Sequence, residues 1–363
     1  TVLITGHSGF KGTWLSLYLL HLGAQVIGYA LPPPTTPSLF GQTDLVESIT
    51  HHEADIRDLD ALVRTLEQHR PAYIFHLAAQ PLVLQAYQSP VETYDINVMG
   101  SVKLLEAIRY TSTRARVIMV ITDKTYKNTG AWYGYRETDP LGGHDPYSAS
   151  KAAMDIAVQS YRAAFFPPSR YADHGVALAS VRAGNVIGGG DWAADRIVPD
   201  AIRAFMSSMP LNVRHPRALR PWQHVLDCLS GYLWLGAHLT TDPPRYADDW
   251  NFGPLPTDHF TVAALVDQLA LAWGDSATWI DSSGADAPHE AESLHLSIDK
   301  AIAVLRWRPV WDFFTTVQHT VQWYRAAQHA DSAAVRAHCH TDIAAFEHAA
   351  RDLGVAWAVD SVR

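Results

Sequence analysis

Val2-Leu3-Ile4-Thr5-Gly6-His7-Ser8-Gly9-Phe10-Lys11-Gly12-Thr13-Trp14-Leu15 joins a short apolar run to a glycine-rich turn and then to an apolar stretch reaching Leu22. The apolar run suits a buried strand and the following stretch a helix, so the segment reads as strand, turn, helix. A second apolar run, Gln25 to Tyr29, follows at once and completes a βαβ crossover. Working outward, further strands are expected at Tyr73–Leu77, Val117–Thr122 and Val176–Arg182. Helices are expected between them, over Leu59–His69, Val91–Tyr110 and Ser148–Phe165. Strands alternating with helices specify an α/β protein with a doubly wound parallel sheet of the Rossmann type. Leu31-Pro32-Pro33-Pro34-Thr35-Thr36-Pro37 is neither helix nor central strand and leaves the second strand as a surface excursion. From Gly184 onward Gly and Pro become frequent and the alternation breaks up, which predicts a smaller, mixed α/β C-terminal lobe.

The 363 residues suit a large α/β unit with an appended lobe, and 48% hydrophobic against 18% charged residues supplies a core. A net charge of −9 offers no general attraction to nucleic acid or to an anionic membrane, so an anionic substrate needs locally placed Arg and Lys. Cys228 and Cys339 are the two cysteines, too few for a disulfide framework, and no apolar run reaches the length of a membrane span. With no basic-then-apolar leader before the first strand, the expected location is the cytoplasm. His338-Cys339-His340 lacks the spacing and the fourth partner of a zinc site, so no metal is expected.

Gly6, Gly9 and Gly12 form a G-x-x-G-x-x-G between strand and helix. That spacing allows a tight turn, a close backbone approach to a pyrophosphate, and free N–H groups at a helix start. The second strand ends Gly28-Tyr29-Ala30-Leu31, without the acid that holds adenosine ribose hydroxyls and without an Arg for a 2′-phosphate, so this position does not separate NAD from NADP. Asp55-Ile56 is placed to flank an adenine, while Asp58 suits the N-cap of the helix from Leu59. Tyr147-Ser148-Ala149-Ser150-Lys151 puts a tyrosine and a lysine one helical turn apart on one face. An ammonium beside the phenol lowers its pKa from about 10 and makes Tyr147 a usable base. Thr122-Asp123-Lys124 ends a strand, where ligands of open α/β sheets sit.

At these residues the sequence resembles the extended short-chain dehydrogenase/reductases (the NAD-dependent epimerase/dehydratase family), and within them the CDP-glucose 4,6-dehydratase group. The resemblance rests on Thr5 to Leu17, Pro32 to Phe40, His76-Leu77-Ala78-Ala79-Gln80-Pro81-Leu82-Val83 and Gly134-Tyr135-Arg136-Glu137. It continues through Gly142 to Tyr147, Arg182 to Trp192, Arg220-Pro221-Trp222-Gln223-His224-Val225 and Pro288-His289-Glu290-Ala291. It implies an NAD-dependent, redox-neutral 4,6-dehydration of CDP-D-glucose to CDP-4-keto-6-deoxy-D-glucose. Tyr147, helped by Lys151 and Thr122, takes the C4 hydroxyl proton, Asp123 protonates the departing C6 hydroxyl, and Lys124 is the C5 base. For Lys124 to act neutral its pKa must fall by burial or a nearby cation, with Lys151 and Lys127 as candidates.

Cofactor contacts are expected from Gly6, His7, Gly9, Phe10, Lys11, Gly12, Asp55, Ile56, Leu77, Ala78, Ala79, Tyr147 and Lys151. Sugar-nucleotide contacts are expected from Asn185, Arg196, Arg220 and Asn251, with His289, Glu290, Trp132, Tyr133 and Trp222 nearby. Residues 1–183 are expected to form mainly the NAD-binding domain, with later segments returning to it. Residues 184–325 form mainly the substrate lobe and 326–363 a helical tail. The resemblance also implies a homodimer, or a dimer of dimers, built on the helices from Val91 and Ser148. Two other readings are a 4-epimerase or dehydratase of a different nucleotide-sugar, and a catalytically idle cofactor-binding regulator. Asp123-Lys124 argues against a simple epimerase, which needs neither an acid at C6 nor a base at C5.

Overall fold

The computed structural model describes residues 1–274, 277–284 and 294–359. Seven parallel strands form the central sheet: β1 (Val2–Thr5), β2 (Val26–Ala30), β3 (Thr50–Glu53), β4 (Tyr73–His76), β5 (Arg116–Val120), β6 (Ala177–Ala183) and β7 (Asp249–Phe252). Their order across the sheet is β3-β2-β1-β4-β5-β6-β7, so the winding reverses between β1 and β4. The α/β, doubly wound expectation therefore holds. β7 comes from beyond residue 184 and pairs with β6 through Trp250↔Val181, a return of the later chain to the sheet.

The inner strands are apolar without alternation because helices cover both faces. Leu3 packs with Ile27, Ile74 and Val117 on one face, while its neighbour Ile4 joins Trp14, Phe75 and Ile118 on the other. The first face is covered by α2 (Leu59–His69), α3 (Ser101–Tyr110) and α4 (Pro146–Ala164). The second is covered by α1 (Phe10–His21) and α5 (Val225–Thr241), both of which bury nearly all their apolar residues. Asp58 caps α2 by accepting from Ala61 N at 2.9 Å. The helix expected over Val91–Tyr110 is interrupted by a wide π turn at Asp95–Gly100, where Gly100 makes room for the Ile56 side chain.

Beyond β6 three two-stranded pairings build the smaller lobe. Val186–Ile187 runs parallel to Gln223–His224, Leu219–Pro221 antiparallel to His259–Thr261, and Leu211–Val213 parallel to Trp279–Asp281. Two late helices, α6 (Phe313–Ala327) and α7 (Ser332–Asp352), then fold back on the molecule. Arg336 of α7 donates to the carbonyl of Asp44 at 2.7 Å, and His21 of α1 meets Glu347 at 3.5 Å.

Two glycines set how closely α1 approaches the sheet. Gly6 lies at φ +76°, and a β-carbon there would stand 2.6 Å from Ala78 N. A β-carbon on Gly12 would stand 2.1 Å from the Gly6 carbonyl oxygen, which is backbone and has little room to yield. Gly12→Ala is therefore expected to destabilise the fold by about 1–3 kcal/mol, as overpacking does. Urea denaturation should show a lower midpoint at an unchanged m-value.

Candidate active site

A cleft of about 1600 Å³ runs along the carboxyl ends of the strands, between the sheet and the smaller lobe. Small-ligand pockets commonly hold about 300–1,000 Å³, so this one has room for a dinucleotide and a second ligand together. Gly6, Ala30, Leu77, Ala78, Ile121, Thr122, Ala183 and Gly184, all at or just past strand ends, line it.

On the β1–β3 side the turn residues Gly6, Ser8, Gly9, Phe10, Lys11 and Gly12 reach the cleft, with Leu77, Ala78 and Ala79 opposite. The N-cap of α1 is Gly9, which has no side chain to occupy the first-turn amides. The helix therefore presents its positive end to whatever lies in the turn. This arrangement fits the pyrophosphate of a dinucleotide. His7 departs from expectation: its ring is wholly buried against Gly28 and bonds His51 at 2.8 Å, so its side chain does not line the cleft. Tyr29 turns its hydroxyl onto the Asp55 carbonyl at 2.8 Å. Asp55 and Ile56 do line the cleft, but Arg57 grips the Asp55 carboxylate at 2.6 Å and holds it below the usual carboxylate range.

The centre of the cleft brings together Thr122, Asp123, Lys124, Tyr147 and Lys151. β5 ends at Val120, and Asp123–Thr125 forms a single 3₁₀ turn capped by Thr122. Thr122 donates to Asp123 Oδ1 at 3.0 Å, and the same hydroxyl lies within hydrogen-bonding reach of the Tyr147 phenol, where it favours the phenolate, so one hydroxyl stands between the acid and the phenol. Asp123 Oδ2 is buried and has no hydrogen-bond partner among the described residues. Burial pushes the Tyr147 phenol up to about 12, against the bond from Thr122 and the nearby positive charge of Arg196.

Lys151 has partners that its helical spacing from Tyr147 does not show. Its ammonium donates to the Val120 carbonyl at 3.0 Å and meets Met154 Sδ at 3.3 Å, while the positive charge of Arg196 also lies near enough to favour the Tyr147 phenolate. A buried amine needs an acceptor, and the open carbonyl at the end of a strand provides it. Burial, reinforced by Lys11, also pushes Lys151 down to about 7. Thus Lys151 is a lysine whose affinity for a proton the site lowers.

Toward the smaller lobe, Asn185, Arg196, Arg220 and Trp222 line the cleft, and Arg196 is held by Asp191 at 2.9 Å. Arg214 and His215 join them, two residues the sequence reading missed. They come directly after the short strand Leu211–Val213, for which no motif or periodicity gave a signal. Asn251 is not part of the cleft lining. It is fully buried in β7, and its amide donates to the carbonyls of Tyr135 and Ser297 at 2.9 and 3.1 Å. Trp132 is 91% exposed and, like Tyr133, is absent from the lining. His289 and Glu290 lie outside the described residues.

Comparison with known proteins agrees with this geometry. Residues 2–253 match the model of the NAD dependent epimerase/dehydratase family. The chain is 46% identical over 325 residues to a CDP-glucose 4,6-dehydratase of Salmonella typhimurium, covering 90% of each chain. Among solved structures it resembles the UDP-glucose 4-epimerase of Thermus thermophilus in complex with NAD, with a TM-score of 0.75 at 23% identity over 90% of this chain and 99% of that one. It also resembles the dTDP-glucose 4,6-dehydratase of Bacillus anthracis in complex with NAD, with a TM-score of 0.73 at 21% identity over 89% and 96%. The glycine turn on an uncapped helix, the Tyr147–Lys151 helix face and the match over most of the chain lead to one assignment: this chain belongs to the NAD-dependent epimerase/dehydratase family.

Proposed function

We propose that the protein is an NAD-dependent CDP-glucose 4,6-dehydratase, a lyase that forms CDP-4-keto-6-deoxyglucose without net oxidation. The observation that carries the reading is the turn Thr122-Asp123-Lys124 beside Tyr147, with Asp123 Oδ2 buried and lacking a partner among the described residues. A simple 4-epimerase has no use for an acid and an amine at that point. The 46% identity to the Salmonella CDP-glucose enzyme supports the choice of nucleotide.

Held along the turn from Gly6 to Gly12, NAD would supply a reversible acceptor for the hydride exchanged between C4 and C6. Tyr147 Oη removes the C4 hydroxyl proton, with the phenol oriented by Thr122. The 4-keto group then acidifies the C5 proton, which the Lys124 amine removes. Asp123 protonates the C6 hydroxyl, which leaves as water, and Lys124 gives its proton back to C5. The proton left on Tyr147 replaces the one Asp123 has lost, and Thr122 Oγ1 lies between the two groups. Asn185, Arg196, Arg214 and Arg220 supply the local cations and donors that a diphosphate needs in a chain of net charge −9.

A homodimer would use the helices Pro90–Tyr94 and α4. They carry Val91, 83% exposed, and Ile156, 55% exposed, as apolar side chains lacking cover within one chain. No helix among the described residues is long and apolar enough to cross a membrane.

Three experiments test the reading. Incubation with CDP-, dTDP-, GDP- and UDP-hexoses, with and without NAD⁺, is expected to give the 4-keto-6-deoxy product from CDP-glucose. Turnover of another donor with none of CDP-glucose would overturn the assignment. Lys124→Met is expected to lower water loss by about 10²–10⁴-fold, the contribution of a positioned base, while C4 hydride exchange persists. Thr122→Val removes a bond that favours the phenolate, so the pKa of Tyr147 rises. Because the base form is the active one, the acid limb of the kcat/KM profile should move to higher pH and activity at neutral pH should fall. Thr122→Ser should leave the limb in place.

A further inference from the structure

The far end of the Asp123–Thr125 turn is tied down as firmly as its start. Tyr126, 1% exposed, donates its hydroxyl proton to Asn251 Oδ1 at 2.8 Å and accepts from Arg182 Nη1 at 2.7 Å. Its ring stacks on Tyr135 at 5.4 Å and 17°, with the Arg182 guanidinium 5.0 Å from the ring centroid. Arg182 in β6 is completely buried. Its Nε donates to Asp155 Oδ2 at 2.6 Å, and Nη1 also reaches the Glu137 carbonyl at 3.0 Å. Asp155 stands one turn beyond Lys151 on α4, the helix that also carries Tyr147. Asn251 completes the set from β7, where its backbone N–H donates to Glu137 Oε1 at 2.9 Å.

These four side chains join two separate parts of the machinery. Tyr147, which serves oxidation at C4, stands on α4 one turn before Lys151. Asp123 and Lys124, which serve loss of water across C5 and C6, stand on the short turn. A single residue, Thr125, separates Lys124 from Tyr126. The turn is closed on itself by Tyr126 N bonding the Asp123 carbonyl at 3.3 Å, and Gly142 N, bonding Thr125 O at 2.8 Å, ties it to a later loop. A shift of the Tyr126 hydroxyl is therefore passed to both groups of the turn. Buried ion pairs are weak stabilisers, and well-packed apolar residues often replace them at no loss of stability. Retaining a buried arginine, an acid, a tyrosine and an asparagine at this point is better explained by the position they impose.

We infer that the buried set Asp155–Arg182–Tyr126–Asn251 holds the elimination turn in register with the oxidation helix. On this inference, which rests on the dehydratase reading above, Tyr126 and Asn251 are positioning residues for the loss of water. The hydroxyl of Tyr126 is what the set grips, so Tyr126→Phe loosens the turn, still held by its backbone bonds, while the ring fills the same space. Oxidation at C4 depends on α4 and Thr122, which that change does not touch.

The test compares holoenzyme and Tyr126→Phe on CDP-glucose. A misplacement of about 1 Å costs about 10²-fold in rate, so kcat for dehydration is expected to fall about 10- to 100-fold with KM changed less than about threefold. C4 hydride exchange should persist, and the absorbance of reduced nicotinamide should build up during turnover because elimination has become slow. A merely structural role predicts that exchange and dehydration fall together, and that result overturns the inference, as does an unchanged dehydration rate. Where Tyr126→Phe fails to fold, judged by its urea midpoint, Asn251→Ser loosens the same grip from β7 and must show the same selective loss. The wild-type donor panel is run first. Turnover of a different nucleotide-hexose would overturn the CDP assignment alone, and the comparison is then made on that donor. Absence of dehydration with every donor would overturn both readings.

Discussion

The approach of α1 to the end of β1 is the contact on which the rest of the molecule is built. Gly12 lies where a β-carbon would stand 2.1 Å from the Gly6 carbonyl oxygen, so any larger residue pushes helix and strand apart. Because the gap is closed, Trp14 reaches across to the Gly189 carbonyl at 2.9 Å, and the smaller lobe is fastened to the first helix. The same closeness places the uncapped end of α1 at the reversal of the sheet between β1 and β4. A crevice at that reversal is where open α/β sheets bind ligands. The glycine turn thus sets core packing, lobe attachment and cofactor cradle together.

Burial then decides the electrostatics. In a low-dielectric site the neutral form of each group is favoured, so the phenol of Tyr147 is pushed up and the amine of Lys151 down. Left to burial alone, Tyr147 would be a poor base, and a positive charge must work against it. Arg196 brings such a charge near the phenol, and its position is set from far along the chain. The Tyr324 hydroxyl in α6 donates to the Asp191 carbonyl at 2.5 Å, and the Asp191 carboxylate holds Arg196. Trp323, next along α6, fills the space beside Gly189 that a side chain there would need. A late helix with no residue in the cleft lining therefore acts on the reacting phenol through one loop.

How much of the molecule is legible in its sequence depends on the range of the signal. The strand–turn–helix at Gly6–Gly12 and the one-turn spacing of Tyr147 and Lys151 are local patterns, and local geometry fulfils them. Asp58 is readable as a cap for the same reason. Spacing does not supply the partner of each side chain. Lys151 shares a helix face with Tyr147, yet its amine turns to the Val120 carbonyl, which belongs to a strand 31 residues away. Asn251 resembles a ligand-binding residue, and only the pairing of β7 with β6 shows that it lies behind the catalytic turn. Arg214 stays hidden because a three-residue strand carries too little pattern to place the residues after it.

The same fold serves epimerases and dehydratases, so the chemistry must be decided by a few atoms. The deciding atoms here are in the turn after β5. A carboxylate oxygen without a partner in a buried place costs free energy, of the order of 1–3 kcal/mol for a polar group and more for a charged one. Asp123 Oδ2 is such an atom among the described residues, and the bare α-carbon of Gly184 leaves the space beside it open. That cost has no structural return, since Oδ1 alone satisfies Thr122. On the proposed reaction a substrate hydroxyl entering the cleft would supply the missing bond. An interaction that strengthens as the leaving oxygen takes up a proton then favours the transition state over the bound substrate, which is the condition for rate enhancement.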